Sequence, residues 1–196
     1  MGKIKSALEI ALERTQSLAV DKGYITQHEA KQKGKKLANE FLAGTVKSLE
    51  EELKKAPAAE LTSLKQGIFD ILISQITLPV TKEELTRVEN AGHGLHTIIG
   101  SKQFGEIARQ MIQVLHQYLD EAAQYEEAIK KQYAPKLKQK EEELSRRMGR
   151  HIKLDPFQDP EFVNFFNQNL NALKANYETV IDQVKKEATR FFEELP

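Results

Sequence analysis

The chain has no cysteine. Disulfides, thiolate metal sites and a thiol nucleophile are therefore excluded. It also lacks any apolar run near the roughly 18 residues that a membrane-spanning helix needs, so no membrane span is expected. Net charge is missing as well, because 29 Lys and Arg balance 29 Asp and Glu. No global field of either sign draws in nucleic acid or a basic partner, although charge can still be segregated locally. The apolar core of a signal peptide is absent too. Glu9 and Arg14 interrupt it, and a cytoplasmic protein is the expectation. Met1-Gly2 with Ser6, flanked by Lys3 and Lys5, matches the pattern for N-myristoylation. The preferred reading makes Ser6 a helix N-cap, with Glu9 closing a capping box.

The motifs of several chemistries are missing. There is no phosphate-binding GxxxxGK[ST] loop, no GxGxxG and no HExxH. A GxSxG nucleophile elbow and the Glu-x-x-His pairs of a di-iron bundle are not found either. His93 and His96 do share a helix face, with Glu89 one turn before them, and could begin a metal site. Two imidazoles and one carboxylate make a thin ligand set. The glycines beside them, Gly92 and Gly94, also fit plain close packing. No metal and no cofactor are expected.

What the sequence does have is helical periodicity. With 196 residues, 40% hydrophobic and 30% charged, it can bury a core without staples. Ile4, Leu8, Ala11, Leu12, Thr15 and Leu18 line one face of a first helix, which Lys22-Gly23 should end. Thr26 and Glu29 form a capping-box pattern for a second helix, ending near Ala43-Gly44. In that helix the small pair Ala30 and Gly34 would let another helix come close. A short helix from about Ser48 to Lys55 follows. The next starts near Pro57 and runs through an apolar stretch to Pro79. Thr81 and Glu84 open another helix, closed by Gly100-Ser101.

From about Lys102 to Met148 a single helical pattern continues with Pro135 inside it, where a kink or break is expected near Ala134. Asp159-Pro160 then pairs an N-cap with proline at the first helical position. In the last helix Phe166, Leu170, Leu173, Tyr177, Val180 and Val184 alternate steps of four and three. A rod that long needs a partner along it, and the helix from 102 is the nearest one.

Lys5-Ser6-Ala7-Leu8-Glu9-Ile10-Ala11-Leu12-Glu13-Arg14-Thr15, then Asp21-Lys22 and Gly34-Lys35-Lys36-Leu37-Ala38, resembles the opening of a family of uncharacterised bacterial all-helical proteins. The resemblance implies a bacterial cytosol. It carries over no catalytic or binding residue.

The fold expected is all-α: an N-terminal helical bundle over 1–100, followed by a long kinked antiparallel hairpin over 101–196, as two domains or as one continuous domain. The function expected is that of a non-catalytic interaction protein, an adaptor, assembly factor or accessory subunit, which docks through apolar helix faces onto another protein or a second copy of itself. Phe162, Phe165 and Phe166 are the candidate docking residues, because the sparse stretch after Pro135 should cover them poorly. One alternative is a nucleic-acid or anionic-surface binder. It would use Arg146, Arg147, Arg150 and Lys153, or the run Lys31, Lys33, Lys35 and Lys36. A metal-dependent helical enzyme centred on His93 and His96 is the other.

Overall fold

The structure is a computed structural model that describes the backbone of residues 7–195 and the side chains of residues 23–195. The Met1–Ser6 motif, the apolar face from Ile4 to Leu18 and the first part of the family resemblance fall outside the described side chains. Among the described residues there are six α-helices and no strand, so the fold is all-α. The helices are α1 (Ala7–Leu42), α2 (Leu49–Lys55), α3 (Ala58–Ser74), α4 (Lys82–Ile99), α5 (Lys102–Met148) and α6 (Pro160–Glu193). A single 3-10 turn, Pro156–Gln158, precedes α6. No helix among the described residues is long and apolar enough to cross a membrane.

The chain forms two compact units. One holds the described residues up to Gln75 together with Asn90–Ser101; the other holds Ile76–Glu89 and the chain from Lys102 onward. The two halves of α4 are thus shared between the units.

Helix ends follow the expected chemistry at most boundaries. The Ser48 hydroxyl accepts from Glu51 N at the start of α2. At α4 the Thr81 hydroxyl accepts from Glu84 N, and the Glu84 carboxylate reaches back to Val80 N at 2.7 Å. Gly44, Gly100 and Gly149 take positive φ just beyond α1, α4 and α5, where only glycine enters that region without strain.

Gly23 does not do this, and the first expected boundary is not there. The backbone stays helical through Gly23, and Thr26 and Glu29 lie inside α1. A glycine within a helix costs about 1 kcal/mol against alanine. That is too little to end a helix when no residue turns the chain into the left-handed region.

The core of the first unit rests on a close helix crossing. Ala30, Gly34 and Ala38 face α3 from α1, and all three are buried. A methyl group added at Gly34 would lie 2.1 Å from the Leu64 carbonyl oxygen, and one at Gly67 would lie 2.0 Å from the Lys31 carbonyl oxygen. Each helix therefore presents bare backbone to the other. Around the crossing Ile68, Leu72 and Leu95 are fully buried. Gly94 plays a similar part for α4, since a methyl there would meet Leu72 at 2.6 Å and Phe41 at 3.1 Å.

In the second unit α5 and α6 form the expected antiparallel hairpin. Tyr133 meets Phe162, Tyr118 meets Tyr177, and Phe104 meets Phe191. Each step back along α5 is matched by an equal step forward along α6. The break considered at Pro135 does not occur, because α5 stays helical from Lys102 to Met148. Pro135 sits on the solvent side, so the carbonyl that loses its donor can turn to water. Its neighbours Tyr133, Lys136 and Lys140 are all tied to the start of α6.

Gly34→Ala is expected to destabilise the protein by about 3 kcal/mol, as overpacking against rigid backbone. Gly23→Ala, in open space on the same helix, should stabilise by up to about 1 kcal/mol. Urea unfolding followed by circular dichroism measures both. A Gly34→Ala protein as stable as its parent would rule out the close crossing.

Candidate functional site

The hairpin closes on one carboxylate. Asp159 caps α6 by accepting from Glu161 N through Oδ1 at 3.1 Å. Its other oxygen, Oδ2, accepts from the Tyr133 hydroxyl at 2.9 Å and from Lys140 Nζ at 2.7 Å. Lys140 also bonds Glu161 at 2.9 Å, and Lys136 pairs with the other Glu161 oxygen. Asp159 is the buried charged residue of this end.

The Lys140 ammonium holds the Asp159 carboxyl below its ordinary range, against the opposing effect of burial. Glu161 is lowered by Lys136 and Lys140. Lys140 is raised in turn, first by Asp159 and then by Glu161. Further along, Tyr177 donates to Glu121 at 2.6 Å, which pushes the phenol up to about 12.

Aromatic rings fill the space behind Asp159. Phe162 is 0% exposed and packs on Tyr133, with ring centres 5.2 Å apart. Phe165 and Phe166 are half-buried and join the same cluster. This corrects the expectation that Phe162 would be poorly covered, while Phe165 and Phe166 keep part of their surface exposed. The segment after α5 folds back and places Phe157 edge-on against Phe162 at 5.2 Å and Phe166 at 5.4 Å. Phe157 is the ring left 46% exposed. It was missed because it belongs to a turn, where no periodicity marks it.

On the flank of the hairpin, away from this end, Ile107, Met111 and Val114 of α5 face Val180 and Val184 of α6 across a groove of about 280 Å³. Gln110, Gln183 and Glu187 complete its lining. Val180 was expected on the buried seam, but Ile181 takes that place at 4% exposure. Val184, of the same expected row, stays buried at 5%, so the seam takes an extra step of four from Tyr177 to Ile181.

The two basic clusters differ. In the first, Lys31 pairs with Asp70 at 2.8 Å, Lys33 with Glu60 at 3.4 Å and Lys36 with Glu40 at 3.7 Å. These cations are largely answered within the chain. In the second, Arg146, Arg147, Arg150 and Lys153 are all exposed, and no ion pair among the described residues engages them.

The histidine constellation is not assembled. Glu89 bonds His116 at 2.8 Å, His93 is exposed, and Gly94 serves packing. Among the described residues no three His, Asp or Glu side chains gather into a possible cation site. The buried Nδ1 of His96 has no hydrogen-bond partner; nothing around it accounts for that.

The fold and these surfaces define an all-helical protein built on a long hairpin, with its family still to be placed. Residues 50–190 match the model of a family of unknown function, DUF6657, and the chain belongs to that family. The matched stretch holds α3, α4, α5 and nearly all of α6, and lies wholly beyond the opening residues on which the resemblance rested. No curated protein and no solved structure matches the chain.

Asp159→Ala should destabilise the hairpin by about 2 kcal/mol, from loss of the cap and of a charged hydrogen-bond acceptor. The folded Asp159 pKa is depressed, so its stabilisation is complete above the unfolded value near 4 and is lost as pH falls through the folded one. Lys140 is raised, so its share is complete below about 10.4 and is lost at higher pH. Thermal melts of parent and Asp159→Asn should therefore differ at pH 7 and converge near pH 2. A gap that persists at pH 2 would refute the charge linkage.

Proposed function

We propose that the chain is a non-catalytic interaction protein that docks through apolar faces of its helical hairpin. The observation that carries this reading is the groove between α5 and α6. Its apolar residues follow helical spacing on both walls: Ile107, Met111 and Val114 on one, Val180 and Val184 on the other. Its volume, about 280 Å³, lies at the small end of ligand-site volumes. Apolar residues at steps of three and four on its two walls suit the side-chain knobs of a third helix.

The occupant put forward is an amphipathic helix of a partner protein. Gln110 and Gln183 on the rim offer amide groups to its polar flanks, while the valines and Ile107 take its apolar stripe. A second copy of the chain is the other occupant the test can reveal.

Val114 and Val180 are half-buried, so acidic replacements there alter the groove while the fully buried seam residues stay in place. Val114→Glu with Val180→Glu should leave helicity near the parent's and abolish the interaction. Cross-linking with mass spectrometry on both proteins tests this. Support is a partner helix whose cross-links flank the groove in the parent and vanish in the variant. Sedimentation over a concentration series reports self-association in the same samples. If the variant keeps every partner and the oligomeric state of its parent, the groove is not the docking surface.

A further inference from the structure

The tip of the hairpin gathers cations without ion-pair partners, whereas the similar run at 30–39, with four Lys and no Asp or Glu, has most of its own paired. From Leu144 to Leu154 there are four Lys or Arg and no Asp or Glu. Elsewhere on α5 the lysines facing α6 are matched: Lys130 with Glu126, Lys136 with Glu161, Lys140 with Asp159. At the tip Arg146, Arg147, Arg150 and Lys153 have no such partner among the described residues. Met148 sits between them, 57% exposed, just before the Gly149 reversal.

The local fold explains why these groups stay outside. After Gly149 the chain runs back along α5 as an extended strap. Ile152 N donates to the Ser145 hydroxyl at 2.9 Å, and Leu154 N donates to Glu141 at 2.8 Å. The strap thus turns Ile152 and Leu154 partly inward and leaves Arg150, His151 and Lys153 exposed. Packing needs none of the four cations.

We propose that this tip docks on an anionic phospholipid surface. Three of the four cations are arginines, whose planar fork matches phosphate oxygens. An exposed methionine at the apex is unfavourable in water and favourable at the boundary between headgroups and acyl chains. Duplex nucleic acid fits less well. The major groove is about 12 Å wide and admits one helix, whereas here the strap widens the last turns of α5. Base-stacking aromatics are also missing from 144–154. Glu142 and Glu143 lie one turn before Arg146 and Arg147 and line the same hollows, about 9 and 7.5 Å behind Met148 at 1.5 Å per residue. Neither forms an ion pair with these arginines, and both stand behind the apex.

Co-sedimentation of the full chain with vesicles tests the proposal. One set is phosphatidylcholine alone, the other phosphatidylcholine with 3 parts in 10 (roughly) of phosphatidylglycerol. Binding is expected to the anionic vesicles at low salt, to fall steeply toward about 0.5 M salt as screening shortens, and to be negligible on the neutral set. Each neutralised cation should weaken binding about fivefold, and Arg146→Gln, Arg147→Gln, Arg150→Gln and Lys153→Gln together on the order of a hundredfold or more. Met148→Ser should weaken it severalfold without altering the salt dependence. Circular dichroism on each variant should match the parent. Equal binding to both vesicle sets, an unaffected quadruple variant, or binding to a duplex DNA probe but not to vesicles would each overturn the proposal. None of these results touches the groove, whose test reads a different surface.

Discussion

Asp159 sits where the returning chain must become a helix, and its carboxylate serves both sides of the turn at once. One oxygen satisfies a free N–H at the start of α6, and the other holds Tyr133 and Lys140 of α5. A carboxylate at a helix N-terminus is favoured by the helix dipole, and here a lysine favours it again. Burying it without those partners would cost several kcal/mol. With them, the cap fixes which turn of α5 meets the first turn of α6. The pairings further along, Tyr118 with Tyr177 and Phe104 with Phe191, hold the same offset. A hairpin of this length has many near-equivalent registers if apolar contact alone sets it. One buried charged contact removes that degeneracy.

The same contact makes sense of Pro135. A proline in mid-helix weakens the backbone where it stands, and here it stands on the outer face between three residues anchored to α6. The helix is held by side chains on its inner face across the turn where the backbone bond is lost. Sequence pattern alone sees the missing donor and not the anchors, because the anchors come from residues 19 to 26 positions away.

Much of the fold was legible for local reasons. Ser48, Thr81 and Asp159 cap their helices through bonds to residues two or three ahead, and such chemistry is written in the immediate sequence. The value of Gly34 as an approach site was legible too, though not its partner: Gly67 was one glycine in an apolar run, and only the crossing reveals that the two backbones touch. Gly23 misled because glycine signals both a helix end and a tolerated interior position, and the conformation that separates them is not encoded by the residue itself. Phe162 misled for a different reason. Its cover comes from Phe157 and Tyr133, one in a non-periodic turn and the other just before the sparse stretch that begins at Pro135.

Charge shows the same division between pattern and place. Two lysine- and arginine-rich clusters look alike as sequence, yet the first lies on a helix whose neighbours supply Asp70 and Glu60, while the second lies at a reversal where no ion pair among the described residues engages it. A cation paired at the surface contributes little to stability, and an unpaired one contributes less. Arg146 and Arg147 lie in the last turn of α5, where the helix dipole favours a cation, but Arg150, Lys153 and the exposed Met148 gain little from it. The buried contacts lie instead at the Asp159 end of the hairpin and in the glycine crossing of the first unit. The segregation of unpaired cations at the tip is the feature of this chain that folding chemistry least explains, so it is the feature that points outward to a partner surface.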